Sequence, residues 1–179
     1  SVGMERVFVN GGTYAFDHEL RNKLRGTAAH NTVMVNRENS AEVWDTFRLG
    51  RRPQTITCDV REEPATGVGV DASHDGYRHR GAKHTRRIFM SDDGADIRSE
   101  DVIESKKPYP VTAHFHLHPD MRYEVKSHEA AEITTPGGQV VQFRVKGGKL
   151  YDQESTYAPH FGQMATGRQL VVRGDWKDN

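Results

Sequence analysis

Three groups of residues in this chain carry side chains from which a chemical site can be built. The first is His30-Asn31, which the run Arg25-Gly26-Thr27-Ala28-Ala29-His30-Asn31-Thr32-Val33-Met34-Val35 places at the mouth of an alternating strand. An imidazole held there can ligate a metal or move a proton, although a single histidine is more often only a hydrogen-bonded residue. The second is His114, His116 and His118, which alternate along one expected strand and so emerge on one face at ~6–7 Å spacing. Two imidazoles so placed are a common half-site for a divalent ion, with Asp120, Glu124 and His128 as the nearest further donors in sequence. The third is Tyr14, Arg21 and Arg25, an aromatic and two fixed cations able to bind a sugar ring and its carboxylates. Packing of Tyr14 and solvation of the two arginines fit the same residues equally well. Trp44 with Phe47, Arg48, Arg51 and Arg52 offers a similar case for polyanion contact, but Trp44 is expected in an inter-sheet core.

The elements that must position these groups read as strands. Val33 and Val35 alternate with Thr32 and Met34, the period of a strand with one face toward a core. Short strands are expected near 6–10, 32–36, 53–62, 67–72, 84–91, 95–103, 111–118, 121–127, 139–146 and 167–173. Asp92-Asp93-Gly94, Pro136-Gly137-Gly138, Lys146-Gly147-Gly148 and Gly167 supply turn signals between them. Asp17 to Arg25 is polar and suits a helical turn or a surface loop. Many short strands without βαβ alternation predict an all-β fold, an antiparallel β-sandwich of the supersandwich kind with short loops and little helix. At 179 residues with seventeen glycines, the chain reads as one domain over residues 1–179, with no internal repeat.

Charge and composition exclude several classes. Lys plus Arg equals Asp plus Glu at 25 each, which gives no electrostatic reason to expect nucleic acid or an anionic membrane as the main partner. No apolar run approaches the ~20 residues needed to span a bilayer. The single cysteine, Cys58, excludes a disulfide framework within the chain and is expected on a core-facing strand surface with Ile56 and Val60.

Several segments, in order, resemble the heparinase II/III-like polysaccharide lyases. They are Val7-Phe8-Val9-Asn10-Gly11-Gly12-Thr13-Tyr14, the Arg25 to Val35 run, and Glu42-Val43-Trp44-Asp45-Thr46-Phe47-Arg48-Leu49-Gly50-Arg51-Arg52. Tyr77-Arg78-His79-Arg80-Gly81-Ala82-Lys83-His84-Thr85-Arg86-Arg87-Ile88, Glu100-Asp101-Val102 and His114-Phe115-His116-Leu117-His118-Pro119 continue the likeness. The resemblance implies the C-terminal β-sandwich of a two-domain lyase whose N-terminal α/α toroid would be a partner domain, and the chain is expected to be a fragment of that larger enzyme, inactive without the toroid. The implied reaction is β-elimination on an acidic, uronic-acid-containing polysaccharide, in a periplasmic or secreted setting.

Such a reaction needs a group that neutralises the uronate carboxylate, a base for the adjacent proton and an acid for the leaving oxygen. The resemblance assigns these mostly to the toroid and to a strand preceding Val7, so no catalytic residue is assigned in this chain. Tyr14, Arg21, Arg25 and Asn31 are the expected substrate-binding residues. The resemblance also implies a structural zinc, to which this chain would contribute His30; the family's aspartate ligand is here Asn10, a poorer donor. Zinc is therefore expected to be weakly held or absent in this chain. Two alternatives stand beside this reading: a non-catalytic carbohydrate-binding or structural β-sandwich, and a cupin-like metal-binding protein using His114, His116 and His118.

Overall fold

The computed structural model describes residues 1–16, 18–63 and 66–174. It contains eleven strands in antiparallel sheets among the described residues, one short helix, α1 (His18–Arg25), and two 3-10 turns, Thr27–Ala29 and Arg78–Arg80. The expected all-β antiparallel architecture is what the residues form. The chain divides into two compact units, residues 1–50 with 109–179 and residues 51–108.

The first unit is a sandwich in its own right. One sheet has the order β1 (Val33–Val35), β6 (Val111–Leu117), β11 (Ala165–Gly174), β10 (Lys149–Tyr157). The other is a meander of β7 (Arg122–Ser127), β8 (Ala130–Thr134) and β9 (Val140–Arg144). Leu117, Leu150 and Leu170 from the first sheet meet Ala131 and Ile133 from the second in one buried cluster, closed by Val7 and Met121. Phe115 and Phe143 stand edge to face across it, 5.1 Å apart. These residues occur at every second position of their strands, which is why burying one face fixes the register of both sheets.

The second unit is a four-stranded meander, β2 (Thr55–Glu63), β3 (Gly67–His74), β4 (Ala82–Ser91) and β5 (Ile97–Ser105). Gly94 closes the β4–β5 hairpin at φ 67°, in the left-handed region where an L side chain is strained. Gly138 and Gly147 do the same in the first unit, at φ 84° and 77°.

Several expectations need correction. Residues 6–10 form no strand of their own; they run extended beside β6 and pair with it at Phe8 and Leu117. Gly167 lies within β11 and turns nothing, because β11 pairs with β10 continuously from Gly174's neighbour Arg173 to Ala165. β8 and β10 carry too faint an apolar alternation to be read: β10 is Lys-Leu-Tyr-Asp-Gln-Glu-Ser-Thr-Tyr, and its nine-residue pairing with β11 supplies what propensity does not. Cys58 is exposed, not buried, since β2 is an edge strand and residues 55–60 are all exposed. Trp44, at 62% exposure, lies in a surface hairpin where Val43 pairs with Leu49, and is not an inter-sheet core residue.

Candidate functional site

The site forms where two short segments meet along one edge of β6. The N–H of His114 donates to the carbonyl of Thr32 (3.0 Å), on the β1 side, and the N–H of His118 donates to the carbonyl of Val7 (2.9 Å), on the side of the extended N-terminal segment. Between them lies the N–H of His116, and neither backbone segment reaches it. The side chain of Asn31 does: its Oδ1 accepts from the His116 N–H at 2.7 Å, while its Nδ2 donates to the carbonyl of Val9 at 3.1 Å. A primary amide carries one acceptor oxygen and a donor nitrogen in one plane, as a peptide does, so Asn31 fills the gap in the ladder as a substitute peptide unit. Asn10 Oδ1 lies beside it, 3.3 Å from the Asn31 N–H and 3.4 Å from Asn31 Nδ2.

The histidines gather behind this junction. His114 and His116 are 5% and 4% exposed, and their rings stack with centroids 6.4 Å apart. His116 Nε2 donates to the carbonyl of Ala28 at 2.9 Å, which leaves Nδ1 as a bare lone pair. His114 Nδ1 is 3.0 Å from Gln169 Oε1, and Gln169 Nε2 is 3.4 Å from the carbonyl of Glu154, so His114 donates through Nδ1 and its Nε2 is bare. Both bare nitrogens are buried without a protein partner. His30 sits at the end of the Thr27–Ala29 turn, half-buried. Burial holds His30, His114 and His116 below the ordinary imidazole pKa; for His116 the neighbouring His114 and His30 push in the same direction, against the bond to Ala28.

The strand alternation thus brings His114 and His116 together, and sets His118 apart. His118 lies beyond the end of β6, against Tyr157 and 3.5 Å from Asp120, in an open depression of about 390 Å³ that Arg6 and His160 also line. The donors beside His30 do not make up a zinc site among the described residues. Asn10 Oδ1 is turned to Asn31, and no group of three or more His, Cys, Asp or Glu among the described residues is arranged to hold an ion.

Arg21 and Arg25 project from α1 toward the loop that follows Trp44. Arg25 Nη1 donates to the carbonyls of Asp45 (2.7 Å) and Thr46 (2.6 Å); Arg21 Nη1 donates to Thr13 Oγ1 (3.1 Å), and its guanidinium lies 5.5 Å from the Phe16 ring centre. Neutral oxygens receive these bonds, so they hold the guanidinium groups in place without cancelling their charge. Tyr14 anchors a neighbouring loop through its carbonyl, which accepts from the Gly162 N–H at 2.7 Å. Phe16 stands 5.4 Å from Phe47 and 5.1 Å from Phe161, all three exposed. Sequence reasoning missed Gln169 and the Ala28 carbonyl. Gln169 is opposite His116 on β11, a pairing 53 residues distant that no local pattern announces.

The family model described as "Heparinase II/III-like, C-terminal" matches residues 1–178. Among solved structures, heparan sulfate lyase HepC from Pedobacter heparinus is similar at TM-score 0.76 and 13% identity, over 96% of this chain and 26% of that one. A heparinase III gene product is similar at TM-score 0.76 and 17% identity, over 98% of this chain and 26% of that one. Among curated proteins, FtsZ-localized protein C of Caulobacter vibrioides is 36% identical over 76 residues, which is 36% of this chain and 13% of that protein. The chain thus spans about a quarter of the lyase structures it resembles and a smaller part of the curated relative.

Two outcomes follow from the geometry. Asn31→Ala strips the His116 N–H and the Val9 carbonyl of their partner, and is expected to lower the unfolding free energy by about 2 kcal/mol in urea denaturation. The depressed pKa values of His30, His114 and His116 mean that the unfolded chain binds protons more readily than the folded one. Their contribution to stability is complete above the ordinary imidazole pKa of about 6.5 and is lost as pH falls through the lower folded values. Urea midpoints measured from neutral to mildly acidic pH should fall, and replacing His114 by Gln should flatten that fall.

Proposed function

The chain belongs to the heparinase II/III-like, C-terminal family, and from that premise we propose that it is the sandwich part of a polysaccharide lyase that cleaves a uronic-acid-containing polymer by β-elimination. The family match over residues 1–178 carries this reading. The arrangement at the end of β1 supports it. Asn31 clamps the strand end, and Arg21 and Arg25 are fixed by neutral oxygens with their charge retained, as recognition of a polymer carboxylate requires.

In the proposed enzyme Tyr14, Arg21, Arg25 and Asn31 form the substrate-facing surface of this part. The arginines bind and orient acidic sugars, and Asn31 keeps the junction rigid while the sugar is held. Proton abstraction and donation to the leaving oxygen belong to an N-terminal α/α toroid, the partner domain. The chain alone is accordingly inactive. Burial lowers the pKa of the half-buried His30, and no step is assigned to a metal. A periplasmic or secreted setting, where acidic polysaccharides are met, suits this activity. No helix among the described residues is long and apolar enough to cross a membrane.

A second reading, a non-catalytic β-sandwich, is favoured by one comparison. The 36% identity over 76 residues is to a protein named for its localization with FtsZ, while the lyase structures share 13–17%. Asn10, in place of a carboxylate, points the same way. The two readings part on one assay. The whole protein incubated with heparan sulfate, alginate or a bacterial uronate exopolysaccharide is expected to release unsaturated products absorbing near ~230 nm. Binding of those polymers with no such absorbance contradicts the lyase reading and leaves the second.

A further inference from the structure

In the second unit, two of the segments that resemble the lyase family, Tyr77–Ile88 and Glu100–Val102, meet His74 in one polar cluster that the site above does not use. His74 and His84 are directly opposed on β3 and β4, and Arg86 is opposed to Asp101 on β5, so all four side chains share one face of the sheet. His84 is 2% exposed. Its Nε2 lies 2.7 Å from Asp101 Oδ1 and its Nδ1 lies 3.0 Å from His74 Nε2. At the far end the Gly76 N–H donates to His74 Nδ1 at 3.1 Å, and at the near end Arg86 donates to both Asp101 oxygens, at 2.7 and 2.9 Å.

These contacts fix every proton in the chain. The Gly76 N–H can only donate, so His74 Nδ1 is bare and its Nε2 carries the hydrogen. That hydrogen points at His84 Nδ1, which must therefore be bare, and His84 Nε2–H donates to the Asp101 carboxylate. Both rings are neutral, and every bond runs one way, from Gly76 to Asp101. No ring nitrogen is left over for a substrate, so the relay is not an acid–base pair awaiting one.

An added proton has no place in this arrangement. On His74 Nδ1 it faces the Gly76 N–H. On His84 Nδ1 it faces the His74 Nε2–H, and if His74 shifts its hydrogen to Nδ1 to accept, that hydrogen again meets Gly76. Every protonated state of the two rings that keeps the bond to Asp101 sets two donors against each other at one of the two contacts.

The Gly76 contact ties the β3–β4 connection to the relay, beside bonds that do not involve the histidines: the Asp75 N–H donates to the Gln54 carbonyl (3.1 Å), the Gln54 N–H to Asp75 Oδ1 (2.7 Å) and the Ala82 N–H to the Tyr77 carbonyl (3.1 Å). Tyr77 is wholly buried there, its ring 5.9 Å from that of His74, and Gly81 ends the 3-10 turn at φ 68°. The turn exposes Arg78, His79 and Arg80, three consecutive basic side chains, with Arg78 3.6 Å from Asp75.

We propose that the Asp101–His84–His74 relay is a pH-sensitive latch that holds the basic turn Arg78–Arg80 in place while both rings are neutral and releases it on acidification. The groups that face it are Asp75 at the end of β3, Arg86 on β4, Asp101 on β5 and Tyr77 in the turn. Asp75 and Asp101 favour an imidazolium, while Arg86 and burial oppose it. Burial, the largest effect, places the His74 transition below the ordinary imidazole range, with His84 and Arg86 adding to the shift and Asp75 opposing it.

The test is a pH titration of the 179-residue chain by NMR, reading imidazole nitrogen shifts and amide exchange together. At neutral pH both rings should be neutral and carry hydrogen on Nε2. As the rings protonate, the protection factor of the Gly76 amide, its exchange taken relative to the intrinsic rate at each pH, should fall at least tenfold, while the Val70 and Ile88 amides in the middle of the same sheet stay protected. Asp101→Asn removes the charge that favours an imidazolium and should move the Gly76 transition to lower pH, an effect that loss of a merely structural contact would not give. Hydrogen on Nδ1 of either ring at neutral pH, or a Gly76 amide that stays protected after the rings protonate, would overturn the proposal.

Discussion

The junction at the edge of β6 depends on a single side-chain amide. Two short segments, β1 and the extended run through Val7–Val9, share that edge, and each stops short of the N–H of His116. An unpaired donor at that point in a sheet is costly. Asn31 resolves this by bonding to β6 with one end of its amide and to Val9 with the other. It thereby locks the N-terminal segment, β1 and β6 into one edge. His30, the Thr27–Ala29 turn and the Ala28 carbonyl that binds His116 are placed by the same junction.

That constraint explains why the histidines are what they are. His116 lies under the amide bridge with one nitrogen bonded to backbone, and His114 lies one strand pair further along with one nitrogen bonded to Gln169. Each ring is neutral because a charge there would be desolvated, and each keeps one unused lone pair. In the second unit the same residue type is used differently. His74 and His84 spend all four ring nitrogens in a directed chain that ends on a carboxylate. Burial alone does not determine the role of a histidine in this chain; the number of its nitrogens that find partners does.

Much of this was legible in the residues. The alternation of Val33 and Val35 marks β1, and the alternation of His114 and His116 correctly places both rings on one face. The glycines after Asp93, Gly137 and Lys146 mark real turns because each occupies a left-handed conformation. What was not legible came from partners far away in sequence. β10 is polar enough to pass for a loop and is a strand because β11 lies beside it. Cys58, Ile56 and Val60 alternate as a core strand would, yet they lie on an edge strand and are exposed. Trp44 is carried to the surface by its hairpin, and the arginines near it in space bond to that hairpin's carbonyls. Asn31 reads in sequence only as a neighbour of His30; its role as a ladder unit requires knowing that two segments end at the same strand.

On the proposed function, this strand end, with Tyr14, Arg21, Arg25 and Asn31, is the surface that meets an acidic polysaccharide. The most direct measurement is backbone-amide NMR of the 179-residue chain titrated with a size-defined glucosamine–uronate oligosaccharide. Saturable shifts are expected to cluster between residues 10 and 31 and in the loop at 45–47 that the arginines hold, and to diminish when Arg21 and Arg25 are replaced by Gln. Saturable shifts confined to other surfaces, or none at millimolar oligosaccharide, would contradict that reading.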